Sequence, residues 1–281
     1  MSEPPRVGFL YPGRLVDGDV ELPQAEGDYP LAEQLISPAV GLSVVITRVE
    51  EDAHTVDALL RTGASEYLLE GAEELRGQGV RSAMWACTSG SFVFGLEGAR
   101  RQAQGVANAL GVPASSTSLA FVEACGHLGI GRVAVAGSYP PDIVGHFARF
   151  LGDAGLEVVG TRSADIISGV GVGELDVAST IDLVKAADLP QAQAVLVPDT
   201  AWNTIGLLEE LDAALGKPVL TANQVTIWQG LALAGLLAPQ TGLGRLFAAR
   251  AGQATRGPGA RPPSGSRLPR RPPGPASYGS D

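Results

Sequence analysis

The chain has 281 residues, 45% of them hydrophobic and 18% charged, enough to bury a substantial core in one large or two small domains. Its formal charge of -10 divides unevenly, because residues 252–281 hold Arg256, Arg261, Arg267, Arg270 and Arg271 against Asp281. That leaves a body at -14, which repels phosphates and argues against nucleic-acid and anionic-membrane partners.

From the N-terminus, the polar MSEPPR stretch has no apolar segment behind it, so no secretory signal and a cytoplasmic location are expected. Short apolar runs follow at Val7–Leu10, Leu42–Thr47, Arg81–Ala86, Pro113–Ser116, Arg132–Ala136, Leu156–Val159, Ala194–Val197 and Pro218–Leu220. Most are bounded by Gly or Pro, as expected of strands buried on both faces of a parallel sheet. Between them, Ser65–Arg76 and Asn203–Leu215 carry apolar residues at helical spacing, closed by Gly77 and Gly216. The run Gly169–Gly173 reads as a loop, and Ile227–Ala238 is too short to span a bilayer. The last 30 residues include 13 Gly or Pro and few aliphatic side chains, which predicts a disordered tail.

The alternation predicts an α/β protein, and an internal echo refines it. Arg6-Val7 leads to Tyr11-Pro12 as Arg132-Val133 leads to Tyr139-Pro140. Likewise Arg81–Ala86 leads through Cys87-Thr88-Ser89 to Ala109-Leu110-Gly111-Val112-Pro113. Ala194–Val197 leads through Pro198-Asp199-Thr200 to Ala214-Leu215-Gly216-Lys217-Pro218. Two pseudo-symmetric parallel-sheet domains are expected, with the active site in the cleft between them. The first half is residues 1–116, completed by C-terminal helices at 222–251. The second is 117–221, and 252–281 is the tail.

Ligands in open α/β sheets bind beyond the carboxyl ends of the strands. Cys87 and Asp199 hold equivalent strand-end positions, so they would approach a substrate from opposite sides. Cys87 precedes a helix start, where unpaired N–H groups would lower its pKa and, with the Thr88 and Ser89 hydroxyls, hold an oxyanion. Its alternative is a buried small hydrophobe. Asp199 reads as a helix cap, a surface turn residue or an acid/base. Tyr139 and Tyr11 read equally as hydroxyl donors or packed rings. Cys125 reads as packing, and His54, His127 and His146 as satisfied or exposed residues of helices. Two cysteines and three histidines exclude a disulfide framework and a zinc cluster, so no metal is expected. The glycine pattern of a dinucleotide site, a phosphate loop and a G-x-S-x-G elbow are all missing.

The stretches CTSGSF at 87–92, GSYPPD at 137–142 and LLEELDAALGKPVLTANQVTIW at 207–228 resemble the aspartate/glutamate racemase superfamily. Within it they are most similar to the branch of maleate cis-trans isomerase and arylmalonate decarboxylase. The resemblance spans roughly residues 6–240 and implies a cofactor-independent enzyme of two α/β halves acting on a small carboxylate. Cys87 would match the first-half cysteine of the isomerases, Thr88 and Ser89 the residues holding carboxylate or enediolate, and Tyr139 an assisting tyrosine. Asp199-Thr200 stands where isomerases carry a second cysteine followed by threonine. The decarboxylase has the reverse pattern, keeping the second cysteine and lacking the first. A Pro-Ser-Ser-Asn type loop is replaced by Tyr11-Pro12-Gly13-Arg14, and Ala164–Gly173 contains no asparagine. Arg14 is the one arginine placed near the site, and Asn223 is given a structural role. The expected activity is isomerisation or racemisation through Cys87 and an enolate-like intermediate. Decarboxylation on the same oxyanion site and a non-catalytic binding role are the rivals; assembly into a homo-oligomer stays open.

Overall fold

The computed structural model describes residues 3–15 and 27–248, so the tail at 252–281 lies outside the described residues. Eight strands form: β1 (Arg6–Leu15), β2 (Gly41–Val49), β3 (Val80–Trp85), β4 (Ala114–Ser116), β5 (Arg132–Gly137), β6 (Glu157–Ser163), β7 (Ala194–Val197) and β8 (Val219–Thr221). They make two four-stranded parallel sheets, ordered β2-β1-β3-β4 and β6-β5-β7-β8. The two orders are the same order displaced along the chain, so the internal echo is a structural repeat. Helices cover the sheets, which is why the strands are apolar on both faces; all four residues of β7 are buried. Fully burying one Val or Leu stabilises the fold by about 1.5–3 kcal/mol.

This order puts the reversal of winding between β1 and β3 in one half, and between β5 and β7 in the other. Crevices open at the carboxyl ends of strands where the winding reverses. Tyr11 on β1 and Cys87 beyond β3 flank the first such point. Tyr139 beyond β5 and Asp199 beyond β7 flank the second.

The helix Ser65–Leu75 buries Leu68, Ala72 and Leu75, as its spacing predicts. The helix expected over Asn203–Leu215 begins later, as a 3-10 turn at Ile205–Leu207 leading into an α-helix over Leu208–Leu215. Its delayed start has a cause: the buried Asp28 carboxylate accepts from the Thr204 and Ile205 N–H groups at 2.9 and 3.0 Å. Burial raises the Asp28 pKa, and these two N–H groups and Asn223 offset part of that rise. The run Gly169–Gly173 is one turn of helix rather than a loop. Ser168 caps it by accepting from Gly171 N–H, and Asp52 of the other half accepts from the Gly169 and Val170 N–H groups.

The apolar run from Ile227 belongs to the helix Ala222–Leu233, buried along nearly its whole length and started by a reciprocal Thr221/Gln224 cap. It packs against the helix Thr117–Leu128 and the β3–β4 face. Cys125 is buried there in the core. Among the described residues, no helix is long and apolar enough to cross a membrane.

Candidate active site

A narrow cavity of about 50 Å³ lies between the carboxyl ends of the two sheets. Cys87 and Ser89 of the first half and Asp199 and Thr200 of the second line it together. Pro12, Val49, Leu59 and Ala201 supply apolar wall, and Glu51, Asp52 and His54 come from the loop after β2. Thr88, Tyr139 and Tyr11 are buried immediately behind these residues.

Cys87 is 4% exposed. Its Sγ accepts from Gly90 N–H at 3.3 Å and lies 3.9 Å from Ser89 Oγ. The expected lowering of its pKa does not occur. Burial pushes the thiol up to about 12, outweighing the Gly90 and Ser89 hydrogen bonds, while nearby Asp199 raises it further. The helix that follows spans only Ser89–Phe92, too short to build a strong dipole. Cys87 is therefore a thiol at neutral pH.

The turn holding Gly90 is braced from two sides. Gln102 Nε2 donates to both the Gly63 and Gly90 carbonyls, at 2.8 and 2.9 Å. A Cβ on Gly63 would sit 2.0 Å from the Gly90 carbonyl oxygen. Gly63→Ala is therefore expected to destabilise the fold by about 1–3 kcal/mol. It should also displace the Gly90 N–H from Cys87. Urea denaturation and the alkylation rate of Cys87 check the two effects.

Asp199 is neither a surface turn residue nor an ordinary cap. It is 5% exposed with φ of 150°, a strained conformation for a residue with a side chain. Neighbours enforce that backbone. Ser138 Oγ donates to Asp199 Oδ2 at 2.5 Å, and Ala201 N–H donates to Oδ1 at 3.0 Å. The next carbonyl, of Thr200, accepts from Tyr11 Oη at 2.7 Å and Asn223 Nδ2 at 2.9 Å. Asn223 Nδ2 also donates to Asp28, so the turn is anchored to the first half. Burial raises the Asp199 pKa; His54 and the Ser138 hydrogen bond offset part of the rise.

Tyr139 stacks edge-on against His54 at 4.8 Å and Phe92 at 5.9 Å. Burial and the charges of Asp199 and Cys87 raise its pKa, with the Ser89 and Thr88 hydroxyls acting the other way. The hydroxyl therefore keeps its proton and can donate it in a hydrogen bond. Thr88 Oγ1 is buried with no partner among the described residues. Tyr11's hydroxyl is committed to Thr200, behind the wall. Arg14 ends up on β1 with its side chain outside the described residues.

Sequence reasoning missed His54. It lies in the loop before the helix Val56–Thr62, not in a helix, and it lines the cavity. Its Nδ1 is 2.9 Å from the Ile166 carbonyl, and its Nε2 is 3.9 Å from Asp199 Oδ2. The available signal was its position after a strand's carboxyl end. His127 and His146 sit on the helices Thr117–Leu128 and Pro141–Asp153 and do not line the cavity.

The loop around His54 fastens the cleft. His54 N–H donates to the Ile167 carbonyl at 2.7 Å, and Asp52 holds Gly169 and Val170 at 2.7 and 3.1 Å. Removing a cap of this kind costs about 0.5–2 kcal/mol. Asp52→Ala should accordingly accelerate hydrogen exchange at the Gly169 and Val170 amides several-fold, and raise KM more than it lowers kcat. Unchanged exchange at both amides would show that Asp52 does not hold the segment.

Comparison with known proteins gives the relatives of this chain. The family model described as arylmalonate decarboxylase matches residues 31–247. The chain is 30% identical over 185 residues to the arylmalonate decarboxylase of Bordetella bronchiseptica, covering 65% of this chain and 77% of that protein. It is 25% identical over 118 residues to the maleate isomerase of Geobacillus stearothermophilus, covering 42% of this chain and 47% of that one. A solved structure of Nocardia farcinica maleate cis-trans isomerase shares the fold at 20% identity with a TM-score of 0.77. That likeness covers 88% of this chain and 99% of the isomerase, a cysteine-to-serine variant with a covalently bound succinylcysteine intermediate. The chain belongs to the arylmalonate decarboxylase family, within the racemase-like branch that also holds the maleate isomerases.

Proposed function

We propose that this protein is a cofactor-independent enzyme of enolate chemistry, decarboxylating a small substituted malonic acid. The observation that carries this reading is the burial of Cys87, 4% exposed, which holds the proton on its sulfur. Addition of sulfur to a carbon–carbon double bond, as in a succinylcysteine, needs thiolate. A thiol whose pKa is pushed up to about 12 instead suits proton donation.

The retained carboxylate accepts a hydrogen bond from Ser89, which lines the cavity, with the Thr88 and Tyr139 hydroxyls buried behind Ser89 adding their dipoles. The second carboxylate faces Pro12, Val49, Leu59 and Ala201, where its charge is poorly solvated. It leaves as carbon dioxide, and its bonding pair becomes the enolate, whose negative oxygen the three hydroxyls stabilise. Cys87 S–H then gives its proton to the α-carbon. The resulting thiolate is held by Gly90 N–H and regains a proton from water. Substrate charge is met by local hydroxyls and not by the overall field, which is repulsive.

Racemisation or isomerisation is the second reading. It is favoured by Asp199 on the opposite wall, the place for an acid/base that exchanges the α-hydrogen from the other face. One experiment in deuterium oxide separates them. Substituted malonates should release carbon dioxide and yield a monocarboxylate with one solvent deuterium at the α-carbon. Exchange of the α-hydrogen of monocarboxylates, without gas from any malonate, would replace this reading with the second. Neither gas nor exchange would overturn both.

A further inference from the structure

His54 is the one side chain among the described cavity-lining residues that can carry a positive charge. The Ile166 carbonyl 2.9 Å from its Nδ1 can only accept, so the neutral ring keeps its proton on Nδ1. That leaves the Nε2 lone pair free, facing Asp199 Oδ2 across 3.9 Å, too long for a direct hydrogen bond. The ring cannot swing away, because Tyr139 packs on it at 4.8 Å and its own N–H is tied to Ile167.

Asp199 is equally fixed. Ser138 and Ala201 occupy one side of each carboxylate oxygen. Among the described residues no lysine or arginine lies within 4 Å of it, so the one cation that can compensate its charge is His54 protonated at Nε2. The pair therefore holds one proton, as carboxylic acid beside imidazole or as carboxylate beside imidazolium. Other groups facing it are Asp52 and Glu51 of the loop after β2, Cys87 beyond β3, Tyr139 beyond β5 and Tyr11 on β1. None of these supplies positive charge.

We propose that the acid/base opposite Cys87 is the His54–Asp199 pair, with His54 Nε2 the atom that exchanges a proton with the substrate's α-carbon. In the acid direction the Nε2–H bond breaks and its electron pair stays on nitrogen, while the enolate pair forms the new C–H bond. Neutral His54 is left beside Asp199 carboxylate, and solvent returns the proton. In the base direction the pair first gives its proton to solvent. The lone pair of neutral His54 then removes the α-hydrogen, whose bonding electrons stay on carbon as the enolate, and Asp199 carboxylate balances the imidazolium. The catalytic part of this inference rests on the enolate reading above, whereas the proton arrangement does not.

The test uses the full chain and two readouts. In long-range ¹H–¹⁵N spectra, His54 should be the Nδ1–H tautomer at high pH. Its Nε2 resonance should move in Asp199→Asn, because the carboxylate that Nε2 faces is then gone. An Nε2–H tautomer, or an Nε2 resonance indifferent to Asp199→Asn, overturns the pair whatever the enzyme does. The second readout is solvent-deuterium exchange at the α-carbon of the two enantiomers of a monocarboxylate. His54→Asn keeps an amide donor where Nδ1 stood, and His54→Gln places its polar group nearer Nε2. Both should slow exchange of one enantiomer by about 100-fold or more, as expected when a general base is lost. Full exchange in His54→Asn would assign His54 to holding Ile166 alone and overturn the catalytic role. Predicted spectra in a protein with no activity on malonates or monocarboxylates would fail the enolate reading while the proton arrangement stands, and would likewise overturn the catalytic role.

Discussion

Cys87→Ala is expected to lower the rate of product formation by about 10²- to 10⁴-fold, the range for loss of a positioned general acid. KM should change little, because the Ser89, Thr88 and Tyr139 hydroxyls that hold the substrate remain. Whatever product still forms takes its proton from the opposite face, where His54 and Asp199 remain, and should be enriched in the other enantiomer. Cys87→Ser should fall close to Cys87→Ala, since a hydroxyl is a weaker acid than a thiol. Neither change should unfold the chain: the side chain is small and its neighbours brace the turn independently through Gln102. Full activity with unchanged stereochemistry in Cys87→Ala would sink the proton-donor assignment. With the pKa at about 12, roughly one Cys87 in 10⁵ is thiolate at pH 7, against a few per cent for an ordinary cysteine. Iodoacetamide should thus modify it slowly at neutral pH, about tenfold faster per pH unit, with no plateau below pH 11. The same shift carries a stability consequence. A thiol pKa raised on folding contributes stability in full below the unfolded value near 8.5, and that contribution is lost as pH rises from there towards 12.

The two-half architecture was legible because its signals are local and repeated. Apolar runs such as Ala194–Val197 need only burial on both faces to become strands, and the Arg-Val…Tyr-Pro echo marked the repeat at residues 6 and 132. The equivalence of Cys87 and Asp199 followed from the same echo, and both line one cavity in the structure. What stayed hidden depends on contacts between distant residues. Gly169–Gly173 contains no residue that favours a helix, and it forms one because Asp52, 117 and 118 positions away, satisfies its first N–H groups. The sign of the Cys87 shift is not legible in the sequence, because a helix start is visible there while the depth of burial is not. Desolvation wins over two hydrogen bonds and a four-residue helix. His54 resembled a helical histidine because nothing near it in sequence mentions Ile166 or Asp199. Its role is set by two partners from the other half.

Asp199→Asn is expected to remove activity that depends on the second face, by about 100-fold or more, and yet to stabilise the fold at neutral and alkaline pH. The reasoning is electrostatic. Burial raises the Asp199 pKa, so the folded state prefers the neutral carboxylic acid. A carboxyl raised in this way favours folding most below its unfolded pKa near 3.9, and stability is lost as pH rises through the folded value. Asparagine has nearly the same shape and no charge to desolvate. Its amide can accept from Ala201 N–H and donate to Ser138 Oγ, so the φ of 150° stays supported. The melting temperature of Asp199→Asn should therefore exceed that of the native chain at pH 8, with the gap closing as pH falls towards 4. A gap independent of pH would mean that the gain arises from packing and not from charge. A native chain more stable at pH 8 would mean that ionised Asp199 is better compensated than its burial implies, with His54 imidazolium as the compensating group. Natural enzymes often retain a residue whose removal steadies the fold when that residue works in the active site. The strained, buried, incompletely compensated carboxylate at position 199 fits that description more closely than any other group described in the chain.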